Sequence, residues 1–145
     1  MDHKQIVVDF DQYFKYIDIL IDKLSNVDFD CVVAILRGGY IPGEIISRKF
    51  NKPLCLIRVS SYHNGQQHEL SHSNVIGDLT PYQHILVVDD LIDSGKTLEF
   101  IKHMIPNCST AVIFNKNVPR NIQPDVYAIR VENQWIIQPM EKYGE

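Results

Sequence analysis

The chain has 145 residues, of which 45% are hydrophobic and 22% charged, and its formal net charge at pH 7 is -4. A chain of this size can bury a full hydrophobic core, which argues against the disordered and fibrous classes. The acidic balance disfavours a broad nucleic-acid-binding face, because duplex binding depends on many Lys and Arg contacts to phosphate. The three cysteines lack C-x-x-C spacing, and the sequence contains neither a signal-peptide pattern nor an apolar run that could span a bilayer. We therefore expect a single-domain cytoplasmic protein with reduced thiols and no transmembrane segment.

Helix and strand patterns alternate along the chain. Apolar residues recur at helical spacing over residues 10–24, and Asp9 is placed to cap this predicted helix. Two further helices are predicted over residues 42–50, where Pro42 suits a first helical turn, and over residues 95–104. The near-continuous hydrophobicity of five short runs predicts strands buried on both faces of a parallel sheet, at residues 31–36, 54–59, 85–88, 111–114 and 126–131. This order predicts an α/β domain with right-handed crossovers.

The polar, turn-rich segment at residues 60–82 interrupts this alternation. A segment of this length in a compact domain is predicted to be a loop or a hairpin, and such segments are commonly functional flaps or disordered insertions.

The most informative stretch is residues 85–97, where four apolar residues lead into acidic side chains and then into a Ser-Gly-Lys-Thr turn. Asp89, Asp90 and Asp93 would cluster like charges at a strand end, so a cation or hydroxyl donors must meet them. Mg²⁺ or a polyol satisfies that requirement. The turn opens a helix, and its free N–H groups, together with the hydroxyls of Ser94 and Thr97, can cradle one phosphate. The stretch therefore indicates a sugar-phosphate site.

Two short motifs point to other functions and do not fit their context. Gly95-Lys96-Thr97 looks like the end of a P-loop, but that motif requires a glycine where this chain has Asp90. Residues 68–72 match the H-E-x-x-H pattern of zinc proteases, which functions only on a helix that places both histidines on one face. These residues lie in the polar segment, so we do not expect a catalytic zinc site there.

Residues 87–97 resemble the phosphoribosyl-pyrophosphate signature of type I phosphoribosyltransferases. The resemblance extends along nearly the whole chain to the xanthine-guanine enzymes of that family, and the further matching segments are Ala34-Ile35-Leu36-Arg37-Gly38-Gly39, Pro42-Gly43, Ser60-Ser61-Tyr62, Phe114-Asn115-Lys116 and Gln134-Trp135-Ile136-Ile137-Gln138-Pro139. It implies one domain over residues 1–145 with the type I phosphoribosyltransferase fold, a central and mainly parallel sheet flanked by helices. Residues 60–82 would form a flap and residues 131–145 a hood over the base.

The resemblance implies a purine phosphoribosyltransferase that joins a 6-oxopurine to the ribose of phosphoribosyl pyrophosphate, with Mg²⁺ as cofactor. It also implies a homo-oligomer, either a dimer or a tetramer. Asp93 would be the catalytic acid-base residue at purine N7, while Asp89 and Asp90 would hold the ribose hydroxyls and Asp90 would also order the metal. The other implied site residues are Ser94, Gly95, Lys96 and Thr97 for the 5′-phosphate, Arg37, Gly38 and His68 for pyrophosphate, and Lys116, Trp135 and the main chain at Ile136 and Ile137 for the purine.

The chain departs from the family's pattern at two positions. Ile137 stands where the xanthine-guanine enzymes have a glutamate, which leaves the choice among guanine, xanthine and hypoxanthine open. His68 stands where the flap carries an arginine, so pyrophosphate binding there would be weaker or pH-dependent, since histidine titrates near neutrality.

A function of another class is a regulatory protein on the same fold that senses nucleotides and binds RNA. Such a protein needs a basic surface, and the net charge of -4 without a Lys/Arg cluster argues against it.

Overall fold

A computed structural model describes residues 4–63, 68–116, 122–132 and 134–144, without the side chains of residues 60–63 and 68–74. Strands and helices alternate along most of the chain. In chain order the elements are β1 (Lys4–Val7), α1 (Phe10–Leu24), β2 (Cys31–Leu36), α2 (Tyr40–Phe50), β3 (Leu54–His63), β4 (His68–Ile76), β5 (Ile85–Ile92), α3 (Lys96–Met104), β6 (Ser109–Asn115), β7 (Val126–Arg130), β8 (Gln134–Ile137) and a 3-10 helix, Pro139–Tyr143.

Six strands form the central sheet in the order β4-β3-β2-β5-β6-β7. All neighbouring pairs in it are parallel except β3 and β4, which form an antiparallel hairpin. Strands β1 and β8 pair in parallel as a separate two-stranded sheet. The prediction of an α/β domain with a mainly parallel sheet is therefore confirmed.

The core lies on both faces of the central sheet. On one face, Val32, Leu86 and Ile113 pack with buried residues of α1 and α2. On the other face, Val33 and Val87 pack with Ile101 of α3 and other residues. Successive side chains of a strand point to opposite faces, so strands covered on both sides must be apolar at every position. This explains the continuous hydrophobic runs in the sequence.

Helix α1 begins and ends where its periodicity predicts. The Asp9 side chain accepts a hydrogen bond from the Gln12 N–H at 2.8 Å, which satisfies one of the free donors at the helix start. Four residues spaced three or four apart, Tyr13, Ile17, Leu20 and Leu24, are buried. Full burial of such a side chain contributes about 1.5–3 kcal/mol. This apolar stripe, together with the cap, accounts for the helix.

Several strands differ from the sequence prediction. Strand β5 continues through Asp89 and Asp90 to Ile92, so these acids lie within the strand and not beyond its end. Strand β3 continues to His63 and pairs with β4, so the segment at residues 60–82 contains the end of β3 and all of β4, which is the hairpin alternative of the prediction. Strands β1 and β8 were not predicted, because each is only four residues long and carries no regular pattern.

The three cysteines are buried free thiols, as expected. Cys31 and Cys55 lie on neighbouring strands with their sulfur atoms 3.9 Å apart, and burial raises the pKa of Cys31 to about 12. Over the described part of the chain, no helix is both long and apolar enough to cross a membrane.

Candidate active site

A cleft opens in the middle of the sheet, where β2 and β5 separate. The two strands pair only as far as Ala34 and Val88, whereas β5 and β6 remain paired to Ile92 and Asn115. The last part of β5 has therefore lost one neighbour. A cavity of about 240 Å³ lies there, lined by residues 89–95, 97 and 98. This is the carboxyl end of the strands, where open α/β sheets bind ligands.

Asp89 and Asp90 are partly buried at this cleft. Asp89 Oδ1 accepts a hydrogen bond from the Asp90 N–H at 2.8 Å. Burial in the first place, and then the charge of Asp90, raise the pKa of Asp89 well above its usual range. Two adjacent carboxyl groups so enclosed can accept a cation or hydroxyl donors.

The Asp90 carboxylate is the meeting point of three segments. Its Oδ1 accepts from the Leu91 N–H at 2.8 Å, and its Oδ2 accepts from the Gln138 side-chain amide at 2.7 Å. Gly38 lies so close that a Cβ atom there would be 2.3 Å from Asp90 Oδ2. A side chain at position 38 would displace the Asp90 carboxylate, and the loop after β2 and the segment after β8 both touch this acid.

The turn after β5 leads directly into α3. Gly95 precedes the helix with a φ of 85°, a conformation that L side chains rarely adopt. The Lys96 N–H donates to Ser94 Oγ at 3.3 Å, and Thr97 lies in the first turn of the helix. The structure thus places Ser94, Gly95, Lys96 and Thr97 together at a helix N-terminus beside the two acids. N–H groups at such a terminus favour a phosphate.

The loop after β2 lies against the same cleft. Arg37 is exposed, and Gly39 is buried where an added Cβ would be 2.3 Å from the Val88 carbonyl oxygen. The side chain of His68 lies outside the described residues; its backbone begins β4 and pairs with His63. Residues 68–72 belong to a strand and not to a helix, so the H-E-x-x-H pattern lacks the helix that a zinc protease site needs.

A second group of predicted residues assembles beside the acids. Lys116 Nζ lies 3.8 Å from Asp93 Oδ1 and 5.4 Å from the centre of the Trp135 ring. The Lys116 side chain is only 14% exposed, whereas Asp93 is 72% exposed and Trp135 is 57% exposed. The Lys116 N–H donates to the Ile92 carbonyl at 3.2 Å, which ties the end of β6 to β5. A buried cation, an open carboxylate and an open aromatic face thus meet at one corner.

Strand β8 carries the remaining predicted residues. Ile136 is buried and Ile137 is partly buried. The Ile137 carbonyl accepts from the Val8 N–H at 2.9 Å, so it faces β1. Alternate residues of a strand direct their main-chain groups to opposite edges, so the groups of Ile136 face away from β1. Ile136 therefore has the freer main chain.

The acids fit a hard cation that takes most of its ligands from a substrate. Among the described residues, no group of three or more His, Cys, Asp or Glu side chains could hold a metal ion. Mg²⁺ is usually bound by one or two carboxylates together with substrate phosphates and water. The carboxylates of Asp89 and Asp90 are oxygen donors of that kind.

Sequence reasoning assigned no role to two residues that lie at the acids. Gln138 bonds to Asp90, and Tyr13 of α1 is fully buried with a hydroxyl that has no hydrogen-bond partner among the described residues. Burial, and then the charges of Asp90 and Asp89, raise the pKa of Tyr13. The sequence placed Tyr13 only within the predicted helix at residues 10–24. Gln138 lies in a segment that resembles the family, and that resemblance is the feature of the sequence that could have indicated a role for it.

Comparison with known proteins identifies the family. The model of the phosphoribosyl transferase domain matches residues 11–143. A xanthine-guanine phosphoribosyltransferase of Idiomarina loihiensis is 29% identical over 123 residues, which are 83% of this chain and 76% of that protein. The enzyme of the same name from Chromohalobacter salexigens is 30% identical over 141 residues, which are 96% of this chain and 85% of that protein.

A solved structure has the same fold. The crystal structure of a purine phosphoribosyltransferase from Pyrococcus horikoshii matches with a TM-score of 0.83 and 27% identity, and the match covers 93% of each chain. The family model, the curated relatives and this fold agree along almost the whole length. The chain belongs to the phosphoribosyl transferase domain family, and it is an enzyme of the pentosyltransferase class.

Proposed function

We propose that this enzyme transfers the 5-phosphoribosyl group from phosphoribosyl pyrophosphate to a 6-oxopurine, giving a nucleoside monophosphate and pyrophosphate. The observation that carries the proposal is the meeting of Lys116, Asp93 and Trp135 beside the paired acids and the helix N-terminus of α3. The corner formed by these three side chains adjoins a site for a phosphorylated sugar, so one substrate can reach the other without leaving the cleft.

The sugar-phosphate half binds through residues of β5 and α3. Residues 94–97 receive the 5′-phosphate with main-chain N–H groups and hydroxyls, and Asp89 and Asp90 accept hydrogen bonds from the ribose hydroxyls. The loop of Arg37 and Gly38 faces the same carboxylates from the end of β2 and binds the pyrophosphate, with His68 contributing from the hairpin. Asp90 would hold Mg²⁺, which when bound would neutralise charge on the pyrophosphate.

The purine half binds through residues of β6 and β8. The indole of Trp135 offers a stacking face, and the Lys116 ammonium donates to the 6-oxo group. Main-chain groups of Ile136 and Ile137 bind the 2-position edge. Ile136 is the stronger candidate of the two, because the Ile137 carbonyl already accepts a hydrogen bond from Val8.

The reaction exchanges one bond at ribose C1. The bond to pyrophosphate breaks with both electrons leaving on the pyrophosphate oxygen, and a purine nitrogen then donates its electron pair to C1. As the new bond forms, the Asp93 carboxylate at the purine edge accepts the proton from N7, so the joined base does not keep a positive charge. Holding both substrates in line accounts for most of the acceleration, since little other covalent chemistry is required.

Residues 60–82 act as a flap in this proposal, and residues 131–145 act as a hood over the base. The outer part of the hairpin of β3 and β4 belongs to the flap, and β8 with the 3-10 helix belongs to the hood. The flap excludes water from a reactive ribose. We also propose a homo-oligomer, which light scattering of the purified protein tests directly.

Steady-state assays with Mg²⁺, phosphoribosyl pyrophosphate and each of guanine, xanthine and hypoxanthine test the proposal. We expect turnover with at least one base and a requirement for Mg²⁺. The ratio of kcat/KM values ranks the three bases and settles the preference left open by Ile137. Failure of all three bases, with adenine and orotate as further controls, would contradict the proposed function.

A further inference from the structure

Gln138 connects the strand of the proposed purine site to the acids of the proposed ribose site. It follows β8 directly, three positions after Trp135, and it is 8% exposed. Its side-chain amide donates to Asp90 Oδ2 at 2.7 Å across 48 positions of sequence. Asp90 is thus bonded to the segment that would carry the base.

The backbone of Gln138 is fixed from both sides. Its N–H donates to the Glu141 carboxylate, and its carbonyl accepts from the Glu141 N–H at 3.0 Å. Pro139, which is buried, begins the 3-10 helix and restricts the backbone further. The turn therefore fixes the backbone of Gln138 within reach of Asp90, and a displacement of this segment would carry the Gln138 side chain with it.

The Asp90 carboxylate has little freedom of its own. Oδ1 accepts from the Leu91 N–H, Oδ2 accepts from Gln138, and Gly38 closes the space beside Oδ2. Loss of the Gln138 donor would leave a carboxylate oxygen without its hydrogen bond and free the group to rotate. A hydrogen bond to a charged group is strong enough to shift an equilibrium about 10- to 100-fold. The Gln138 donor therefore helps to decide the orientation of Asp90.

We propose that Gln138 is a positioning residue that orients Asp90 for the ribose hydroxyls and Mg²⁺, and that it couples purine binding to phosphoribosyl pyrophosphate binding. The inference rests on the proposed function. A base that settles on β8 holds Gln138 in place, and Gln138 in turn holds Asp90. Coupling of this kind is reciprocal, so each substrate raises the affinity for the other by the same factor.

Replacement of Gln138 by Met, which keeps the length of the side chain and removes the donor, tests the proposal. Gln12→Met, on the exposed side of α1, is the matched control. We measure the dissociation constant of Mg²⁺–phosphoribosyl pyrophosphate by calorimetry, the KM of the preferred purine at low and saturating phosphoribosyl pyrophosphate, and the melting temperature of each variant. The ratio of the two purine KM values gives the coupling factor.

We expect Gln138→Met to weaken phosphoribosyl pyrophosphate binding about 10- to 100-fold, which corresponds to the loss of one hydrogen bond to a charged group. The coupling factor should exceed 1 in the wild type and in Gln12→Met, and it should fall to about 1 in Gln138→Met. Unchanged phosphoribosyl pyrophosphate affinity in Gln138→Met, or a coupling factor equal to that of the wild type, overturns the proposal.

Gln138→Glu keeps the shape of the side chain and faces Asp90 with a second carboxyl group, so it serves if the Met variant does not fold. Its affinity for phosphoribosyl pyrophosphate should fall at least as far as that of Gln138→Met, and a wild-type affinity would overturn the proposal. The measurement on the wild type distinguishes failure of the proposed function from failure of the proposed role of Gln138. A wild type that binds no phosphoribosyl pyrophosphate contradicts the proposed function as well, whereas normal binding in the Gln138 variants contradicts the role of Gln138 alone.

Discussion

At the scale of single residues, the three acids of the 85–97 segment occupy different surroundings. Asp89 and Asp90 are partly buried and bonded to main-chain N–H groups, whereas Asp93 is exposed and faces Lys116. A group that exchanges a proton with a substrate must be reachable, while groups that hold ribose hydroxyls must be fixed. The different surroundings therefore match the different roles proposed for the three acids.

Asp93→Asn should lower kcat by about 10²- to 10⁴-fold, the usual contribution of general acid-base catalysis, and leave the KM of phosphoribosyl pyrophosphate nearly unchanged. Steady-state kinetics with both substrates varied provides the measurement. Asp11→Asn, on the exposed side of α1, is a control that should keep wild-type rates. An equal loss of turnover and of phosphoribosyl pyrophosphate affinity in Asp93→Asn would contradict the acid-base assignment.

Trp135→Ala should raise the KM of the purine selectively. Stacking of a base on an aromatic ring contributes about 1–3 kcal/mol, which corresponds to roughly a 5- to 150-fold change. Trp135→Phe retains a ring and should recover most of the affinity, and the exposed position of Trp135 limits any effect on folding. If the KM of phosphoribosyl pyrophosphate rose by the same factor, Trp135 would not be a stacking residue.

At the scale of elements, the loop before β2 is tied to the start of β5 by Asp30. Its carboxylate accepts hydrogen bonds from the N–H groups of Gln83 at 3.0 Å and His84 at 3.1 Å. The bond from Gln83, foremost, and that from His84 lower the pKa of Asp30. The ionised carboxylate therefore helps to set the register between two neighbouring strands.

Asp30→Ala should lower the free energy of unfolding at pH 7, and the difference from the wild type should shrink in acid. The folded pKa lies below the unfolded value of about 4, so the stabilisation is complete above pH 4 and is lost as the pH falls through the folded pKa. Urea unfolding at pH 7 and pH 3 provides the measurement, with exposed Asp28→Ala as the control. A difference that stayed constant with pH would exclude this role.

The elements that the sequence predicted best are those with a regular local pattern. Helix α1 has a cap and a full apolar stripe, and β2 is apolar at every position because both of its faces are covered. Strand β4 has a polar sequence and pairs only with β3 at the edge of the sheet, so no such pattern marks it. The short strands β1 and β8 pair although almost the whole chain separates them in sequence. No local sequence pattern predicts that pairing.

The candidate site likewise contains parts that a local sequence pattern predicts and parts that depend on contacts between distant segments. The cradle at residues 94–97 is local, because a turn and a helix start are encoded in consecutive residues. The contact of Gln138 with Asp90 joins distant segments and depends on where β8 settles, and the buried Tyr13 hydroxyl depends on how α1 packs on the sheet. Such contacts follow from tertiary packing, which a single sequence does not display.

At the scale of the whole molecule, charge separates the enzyme from a nucleic-acid-binding protein. The net charge is -4, and three of the acids lie at the cleft. A small phosphorylated sugar needs a few local donors, whereas RNA needs an extended basic surface. The net charge of the chain therefore argues against RNA binding but does not argue against binding of a small phosphorylated sugar.

We expect no RNA binding by this protein in the micromolar range at about 150 mM salt, because affinity of that kind comes from many phosphate contacts. Filter binding or fluorescence anisotropy with a structured RNA, repeated at low salt, provides the measurement. A binding constant that fell steeply with rising salt would favour the regulatory class, and an active transferase that also showed it would have both functions.

The pair formed by Lys116 and Asp93 also bears on the thermodynamics of base binding. With Nζ and Oδ1 3.8 Å apart, the two side chains already face one another before any base arrives. A purine bound as proposed places its oxygen and N7 between them and exchanges one ion pair for two contacts with the ligand. The Lys116 side chain is only 14% exposed and so loses little entropy on binding, whereas the exposed Asp93 side chain must be displaced. In the free enzyme the two recognition groups thus form an ion pair with each other, and the purine must separate them in order to bind.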